Sequence, residues 1–376
     1  MATTPFVFLD HNATTPLRPA VIAAMVEVMG EAGNPSSVHA QGRAARRRVE
    51  TARRQVAAAV GLPAGGEIVF TSGGTEANHL ALRGLKAAGP VLRSAIEHDS
   101  VRAAVPDAAL IPVTADGVVD LQALERLLAD GAALVSVMAA NNETGVLQPI
   151  AEVVRLAHGA GALVHCDAIQ IMGKAPFDMA ALGVDLATVS AHKFGGPQGV
   201  AALAIAPKVP LAALQTGGGQ EKGYRAGTEN VAGIVGFGLA IEAATAELDA
   251  YGRLAALRDR IAERLSALDP GAVAFGAAAP RVANTLSIAM PGVKAETQVM
   301  ALDLAGIGVS AGSACSSGKV RTSHVLTAMG VAPELAATAI RISLGRDTTE
   351  DDVERLIEAW AALRARTRQK TGRSAA

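Results

Sequence analysis

Lys193 is the residue most able to react. An apolar run from Val184 to Val189 reads as a buried strand. Ser190, His192 and Lys193 follow it, and Gly195, Gly196 and Pro197 then end regular structure. A lysine buried at a strand tip loses part of its preference for the charged form. Its amine can then act as a nucleophile or base, or form a Schiff base with an aldehyde cofactor. The alternative is a turn lysine that only caps a strand. Asp167 follows a second apolar run, Ala162 to His165. A carboxylate there is costly unless a cation, such as a protonated pyridine nitrogen, pairs with it. His98 follows the run Val91 to Ile96, and Asn142 follows Ala132 to Met138. Both stand where strand tips would present them, as site edges or as structural polar residues.

Other candidates lie in loops. Thr71 to Asn78 joins a short strand, Glu67 to Phe70, to a helix expected over Ala77 to Ala88. A strand, a glycine turn and a helix N-terminus can bind an anion, with Gly73 and Gly74 admitting a phosphate and Thr75 adding a hydroxyl. A plain turn is the alternative, and the glycine spacing fits neither a P-loop nor a dinucleotide fingerprint. Cys315 stands among small and polar residues, Gly308 to Gly318, and reads as an exposed, reactive thiol. Arg341 can fork onto a carboxylate or serve structure. Asn34 can touch a ligand or make a turn. Cys166 reads as an inert core thiol.

Strands and helices alternate from residue 67 to 206, which argues for a mostly parallel sheet covered on both faces. Ligands of such sheets sit beyond the carboxyl ends of the strands. Thr75, His98, Asn142, Asp167 and Lys193 all fall at those ends. Further elements are expected as a helix over Pro19 to Met29, another over 41–60 and a long helix from Val231 through the 260s. A second, α+β region follows, with strands near 272–276, 284–289 and 340–344 and helices near 295–305, 324–329 and 350–366. Six arginines on the 41–60 helix, Arg43, Arg46, Arg47, Arg48, Arg53 and Arg54, read as a solvated face rather than a docking face.

At 376 residues, half of them hydrophobic and 18% charged, the chain can bury a large core and is expected to form two domains. A net charge of -1 gives no general case for nucleic acid or membrane partners. The N-terminus lacks a basic start followed by an apolar run, and the apolar stretch Val231 to Ile241 is too short to span a bilayer. Two cysteines suggest a reducing, cytoplasmic setting. No metal-ligand set is assigned.

Nine motifs in order carry a family resemblance. They are FLDHNATTP (8–16), GNPSSVH (33–39), EIVFTSGGTEAN (67–78), NNETG (141–145), HCDAIQ (165–170), SAHKFGGPQG (190–199), GGGQEKGYRAGTEN (217–230), GSACSSG (312–318) and RISLG (341–345). The chain resembles the cysteine desulfurases, which are pyridoxal 5'-phosphate enzymes of the class V aminotransferase family. The cysteine loop is similar to that of the NifS and IscS group rather than the SufS group. The resemblance implies fold type I: a mostly parallel central sheet with helices on both faces, plus a smaller α+β domain. Residues 15–250 would form the large cofactor-binding domain, and 1–14 with 251–376 the small domain carrying the Cys315 loop.

The resemblance also implies roles. Lys193 would hold the cofactor as a Schiff base, Asp167 would pair with its ring nitrogen, Gln170 with its ring hydroxyl, and His98 would stack on the ring. Gly74, Thr75, Ser190 and His192 would bind the phosphate, with Thr228 reaching in from the second subunit of a homodimer. Asn34, Asn142 and Arg341 would hold the carboxylate of L-cysteine, His98 would take its thiol proton, and Cys315 would accept its sulfur. A sulfur acceptor or iron–sulfur scaffold protein would receive that sulfur. Val320-Arg321-Thr322 departs from the family's usual Leu-Glu-Pro, and the basic tail from Arg364 lacks an evident counterpart to the family's scaffold-binding extension. A selenocysteine lyase or aminotransferase is a competing reading that the cysteine loop disfavours. A non-catalytic relay protein is disfavoured by Lys193, Asp167, His98 and Cys315 together.

Overall fold

The computed structural model describes residues 5–87, 89–312 and 322–374, with side chains to residue 368. Cys315 and most of its loop lie outside the described residues. The strands are β1 (Val7–Phe8), β2 (Glu67–Thr71), β3 (Val91–Ser94), β4 (Ala109–Ile111), β5 (Leu134–Ser136), β6 (Leu163–Asp167), β7 (Leu186–Ser190), β8 (Ala201–Ile205), β9 (Val273–Phe275), β10 (Thr285–Ala289), β11 (Ile307–Gly308), β12 (Ser310–Ala311) and β13 (Ala339–Ser343).

β2 to β8 form one seven-stranded sheet in the order β2-β8-β7-β6-β5-β3-β4. The neighbours from β7 through β4 are parallel, and β8 runs antiparallel to both β7 and β2. Two reversals restore direction, so β2, β3, β5, β6 and β7 all end on one edge. Every residue of β5, β7 and β8 is buried. That burial explains why these strands read as continuous apolar runs rather than alternating ones.

Helices Pro19–Met29 and Ala40–Ala59 pack on one side of this sheet with Val231–Ala246. The 40–59 helix turns Ala45, Val49, Ala52 and Val56 inward at helical spacing. Its neighbour comes so close that a Cβ on Gly238 would lie 2.8 Å from Cα of Ala52, so glycine is required there. Phe237 of the same helix is fully buried, with ring centroids 6.1 Å from Phe70 and 5.7 Å from Phe194. Phe194 thereby anchors the turn that carries Lys193.

The expected long helix from Val231 is broken. It becomes Val231–Ala246, Leu248–Gly252 and Leu254–Leu268, and the chain bends by 67° at the first break. Glu247 at this break is held by Arg18 at 2.8 Å, and Gly252 weakens the next join. Among the described residues no single helix is long and apolar enough to cross a membrane.

The second sheet has the order β12-β13-β10-β9, all antiparallel, and packs on helices Leu254–Leu268, Ala295–Leu304 and Glu350–Ser374. Trp360, Ile261, Leu302 and Ile340 lie at the heart of that layer. β1 pairs in parallel with β11, and Asp10 bridges to Ser343. The N-terminal segment therefore lies against the second sheet before crossing to the first. A third apolar cluster, including Ile96, Met138, Phe275 and Leu326, joins the carboxyl edge of the large sheet to the small one.

Candidate active site

Five strand tips meet at one cavity of ≈ 380 Å³. Asp167 ends β6, Ser190 ends β7 with His192 and Lys193 on the short helix after it, and His98 follows β3. Asn142 follows β5, and Gly74 and Thr75 follow β2. Gln170 and Arg341 complete the wall, with Arg341 supplied by β13 of the second sheet. Ten of the sequence-selected residues thus line one space: Gly74, Thr75, His98, Asn142, Asp167, Gln170, Ser190, His192, Lys193 and Arg341.

Two selected residues are not brought there. Asn34 is exposed and its Oδ1 accepts a hydrogen bond from Ser36 N at 2.8 Å, the turn-forming reading of that residue. Thr228 is exposed beside a separate small cavity lined by Thr71, Glu221 and Arg225. Cys315 lies outside the described residues, but Gly312 lines the cavity wall.

Lys193 Nζ donates to the carbonyls of Asn12 and Ala13, both at 2.8 Å. Burial first, then the charge of Arg341, lowers its pKa to about 8, against the raising effect of Asp167 and Asp10. Asp167 is buried. Its Oδ2 accepts from Asn78 Nδ2 at 2.9 Å and its Oδ1 from Ile169 N at 3.0 Å. Among the described residues no ion pair reaches it, although it faces the cavity.

His98 caps the helix Asp99–Ala104, its Nδ1 accepting from Ser100 N at 3.1 Å and lying 2.8 Å from Ser100 Oγ. A backbone N–H can only donate, so the resting neutral ring carries its proton on Nε2. The protein packed around the ring is the main cause of its lowered pKa, against the charge of Asp167. The same Ser100 hydroxyl accepts from Asn78 Nδ2 at 2.8 Å, which links His98 to Asp167 through two side chains. His192 sits at about 4, lowered by burial and then by Lys193.

The helix after β2 begins at Gly74, earlier than the glycine turn suggested. Its first N–H groups therefore open at the cavity, where only Ala77 N finds a helical acceptor, in Gly73 O at 3.1 Å. A Cβ on Gly74 would collide with Cδ1 of Ile169. Arg341 is buried and already engaged. Its Nη2 meets Asp10 Oδ1 at 2.6 Å and its Nη1 donates to Asn142 O at 3.1 Å. A substrate carboxylate would share this guanidinium with Asp10.

These features fit pyridoxal 5'-phosphate. A buried carboxylate with neutral donors alone suits a protonated ring nitrogen. A helix N-terminus kept open by a glycine suits a phosphate. A half-desolvated amine stands between them.

Several residues that the sequence did not single out build this site. Asn12, Asn78, Ser100, Lys174 and Glu143 are among them, and burial raises Glu143 to about 7 while Ser323 Oγ donates to it at 2.5 Å. Arg53 is the clearest departure from expectation. It leaves the solvated face of its helix to pair with buried Glu221, Nη1 to Oε2 at 2.7 Å and Nη2 to Oε1 at 3.0 Å. Cys166 is buried and burial pushes its thiol well up, in keeping with an inert core thiol.

The family model for aminotransferase class-V matches residues 7–356. A protein of Cereibacter sphaeroides named cysteine desulfurase is 44% identical over 365 residues, 94% of each chain. One of Dictyoglomus turgidum named cysteine desulfurase IscS is 41% identical over 373 residues, again 94% of each. The solved NifS-like protein of Rickettsia africae superposes with a TM-score of 0.88 at 40% identity, covering 94% of this chain and 98% of its own.

Proposed function

The chain belongs to the class-V aminotransferase family, and from that membership we propose that it acts as a pyridoxal 5'-phosphate-dependent cysteine desulfurase. It takes L-cysteine, releases L-alanine and leaves the sulfur as a persulfide on Cys315. The convergence of Lys193, Asp167, His98, Gln170 and Arg341 on one cavity carries this reading.

When bound, the cofactor supplies an electron sink for charge released at the α-carbon of an amino acid. Lys193 would hold its aldehyde carbon, Asp167 its ring nitrogen, Gln170 its ring hydroxyl and His98 its face. Gly74, Thr75, Ser190 and His192 would hold its phosphate, with Thr228 contributed by the second protomer of a homodimer. Arg341 and Asn142 orient the substrate carboxylate, and Asn34, exposed and outside the cavity lining in the single chain, would join them. With its pKa about 8, Nζ of Lys193 is a base matched to moving the α-proton near neutral pH.

His98 offers the cavity an N–H at rest. To take the substrate's thiol proton at Nε2 it must adopt the other tautomer, donating from Nδ1 to Ser100 Oγ. The Cys315 thiolate attacks the substrate sulfur. An S–S bond forms, the substrate C–S bond breaks, and its electron pair stays with the three-carbon product, which is protonated and leaves as L-alanine. The persulfide then passes to a sulfur acceptor, such as an iron–sulfur scaffold protein. A reducing cytoplasm suits a free reactive thiol and is the setting we assign.

The test compares wild type with Cys315→Ala, each given L-cysteine and a reductant, with alanine and sulfide assayed. Wild type releases both and the variant neither, while both keep the cofactor's absorption. Equal activity would remove Cys315 as sulfur acceptor. Cofactor binding without any action on L-cysteine would remove the activity.

A further inference from the structure

Lys174 is 5% exposed and lies behind the cavity wall, in none of the roles assigned above. Its Nζ is 2.6 Å from Gln170 Oε1 and 2.6 Å from Asn12 Oδ1. Which end of each amide is oxygen can be assigned without reference to the lysine. Gln170 Nε2 donates to the backbone carbonyl of Asn12 at 3.0 Å, and Asn12 Nδ2 donates to the backbone carbonyl of Asn142 at 3.2 Å. A carbonyl can only accept, so the oxygens of both amides must face Lys174. Asn284 Nδ2 adds a second donor to Asn12 Oδ1 at 3.1 Å. The amine is thus a pure donor here, whatever its charge.

We propose that Lys174 is a positioning residue for the reaction, holding Gln170 by its Oε1 so that the remaining Nε2–H stays turned to the cavity and to the cofactor's ring hydroxyl. The inference rests on the assignment of Gln170 to that hydroxyl. Burying an amine this deeply is unfavourable, and nothing in packing requires it, since a methionine stem would fill the same space. Burial, followed by the charges of Lys193 and Arg341, pushes the Lys174 pKa well below its usual value. His11, itself lowered to about 4, also faces it. Without Lys174, Gln170 Oε1 would be a buried acceptor lacking a donor. Its amide would then turn or withdraw to find one.

The experiment is a pH titration of the bound cofactor's absorption in wild type, Lys174→Met, Gln170→Leu and the double variant. A donor on the ring oxygen draws off negative charge that would hold the neighbouring proton, so loss of the donor raises the midpoint. Lys174→Met is expected to raise it by about one unit. In the Gln170→Leu background the same change should add less than about 0.3 unit, because its effect runs through Gln170. An unmoved midpoint in Lys174→Met overturns the proposal, and so does a full additional shift in the double variant, which would mean direct action by charge. If Gln170→Leu binds cofactor with an unmoved midpoint, the assignment of Gln170 fails and the inference falls with it. Absence of any cofactor band in wild type would instead sink the cofactor reading itself. Should Lys174→Met not fold, Lys174→Gln replaces it. That variant keeps a donor of similar reach, and its midpoint should stay nearer wild type than that of Gln170→Leu. An equal shift in the two would count against positioning.

Discussion

Lys193 should take up pyridoxal 5'-phosphate with a pH dependence set by its burial. At pH 7 an amine of pKa about 8 is about 9% neutral, against about 0.03% for an ordinary lysine, a difference of about 300-fold in reactive form. The perturbation is pH, applied to cofactor-free protein. The assay is the second-order rate of appearance of the bound cofactor's absorption between pH 6 and 10. Below pH 8 the rate should fall about tenfold per unit, and above about pH 9 it should be flat. The ligand's phosphate loses its second proton near pH 6, so it is almost constant over the decisive range. Glu143, at about 7, is another cavity group that titrates there. Glu143→Gln removes it and should leave the midpoint near 8. A rate that climbs tenfold per unit up to pH 10 in both proteins would refute the reasoning. The amine would then be an ordinary solvated lysine, and burial would not be what activates it.

Two more outcomes follow from the charges around the site. Asp10→Asn should move the uptake midpoint below that of wild type, since Asp10 is one of the two carboxylates that raise the Lys193 pKa; an upward movement would contradict the assignment. Arg53→Met strips the partner from Glu221, whose side chain is 2% exposed, and should cost about 3–5 kcal/mol of stability in denaturant unfolding. A loss below about 1 kcal/mol would show the pair to be dispensable.

The parts of the site that were legible in the sequence share one property: a polar residue directly after a run of buried strand. Asp167, Ser190, Lys193, His98 and Asn142 were readable because several polar residues converge at the ends of parallel strands that are buried on both faces. The helix Pro19–Met29 was equally plain, an apolar stretch bounded by turns. What was hidden depends on contacts between distant segments. Arg53 looks like its arginine neighbours until Glu221, 168 positions on, is folded against it. Asn12 and Lys174 carry no local signal, because their meaning lies in partners supplied by three other segments. β11 and β12 are two residues each, below any readable period. The early start of the helix was masked by the glycine pair, which reads as turn although Gly74 is the first helical residue.

Arg341 is drawn from a strand 331 positions after its partner Asp10, and β1 pairs with β11 almost as far along. During synthesis at about 5–20 residues per second, the first ten residues wait on the order of 15–60 seconds for the segment they dock against. The seven-stranded sheet can collapse in that interval, but the carbonyls of Asn12 and Ala13 that receive the Lys193 amine cannot be locked in place until the end of the chain arrives. The reactive centre is therefore completed only after β13 has been made. A truncated product released before residue 341 would carry the lysine without the surroundings that make it reactive.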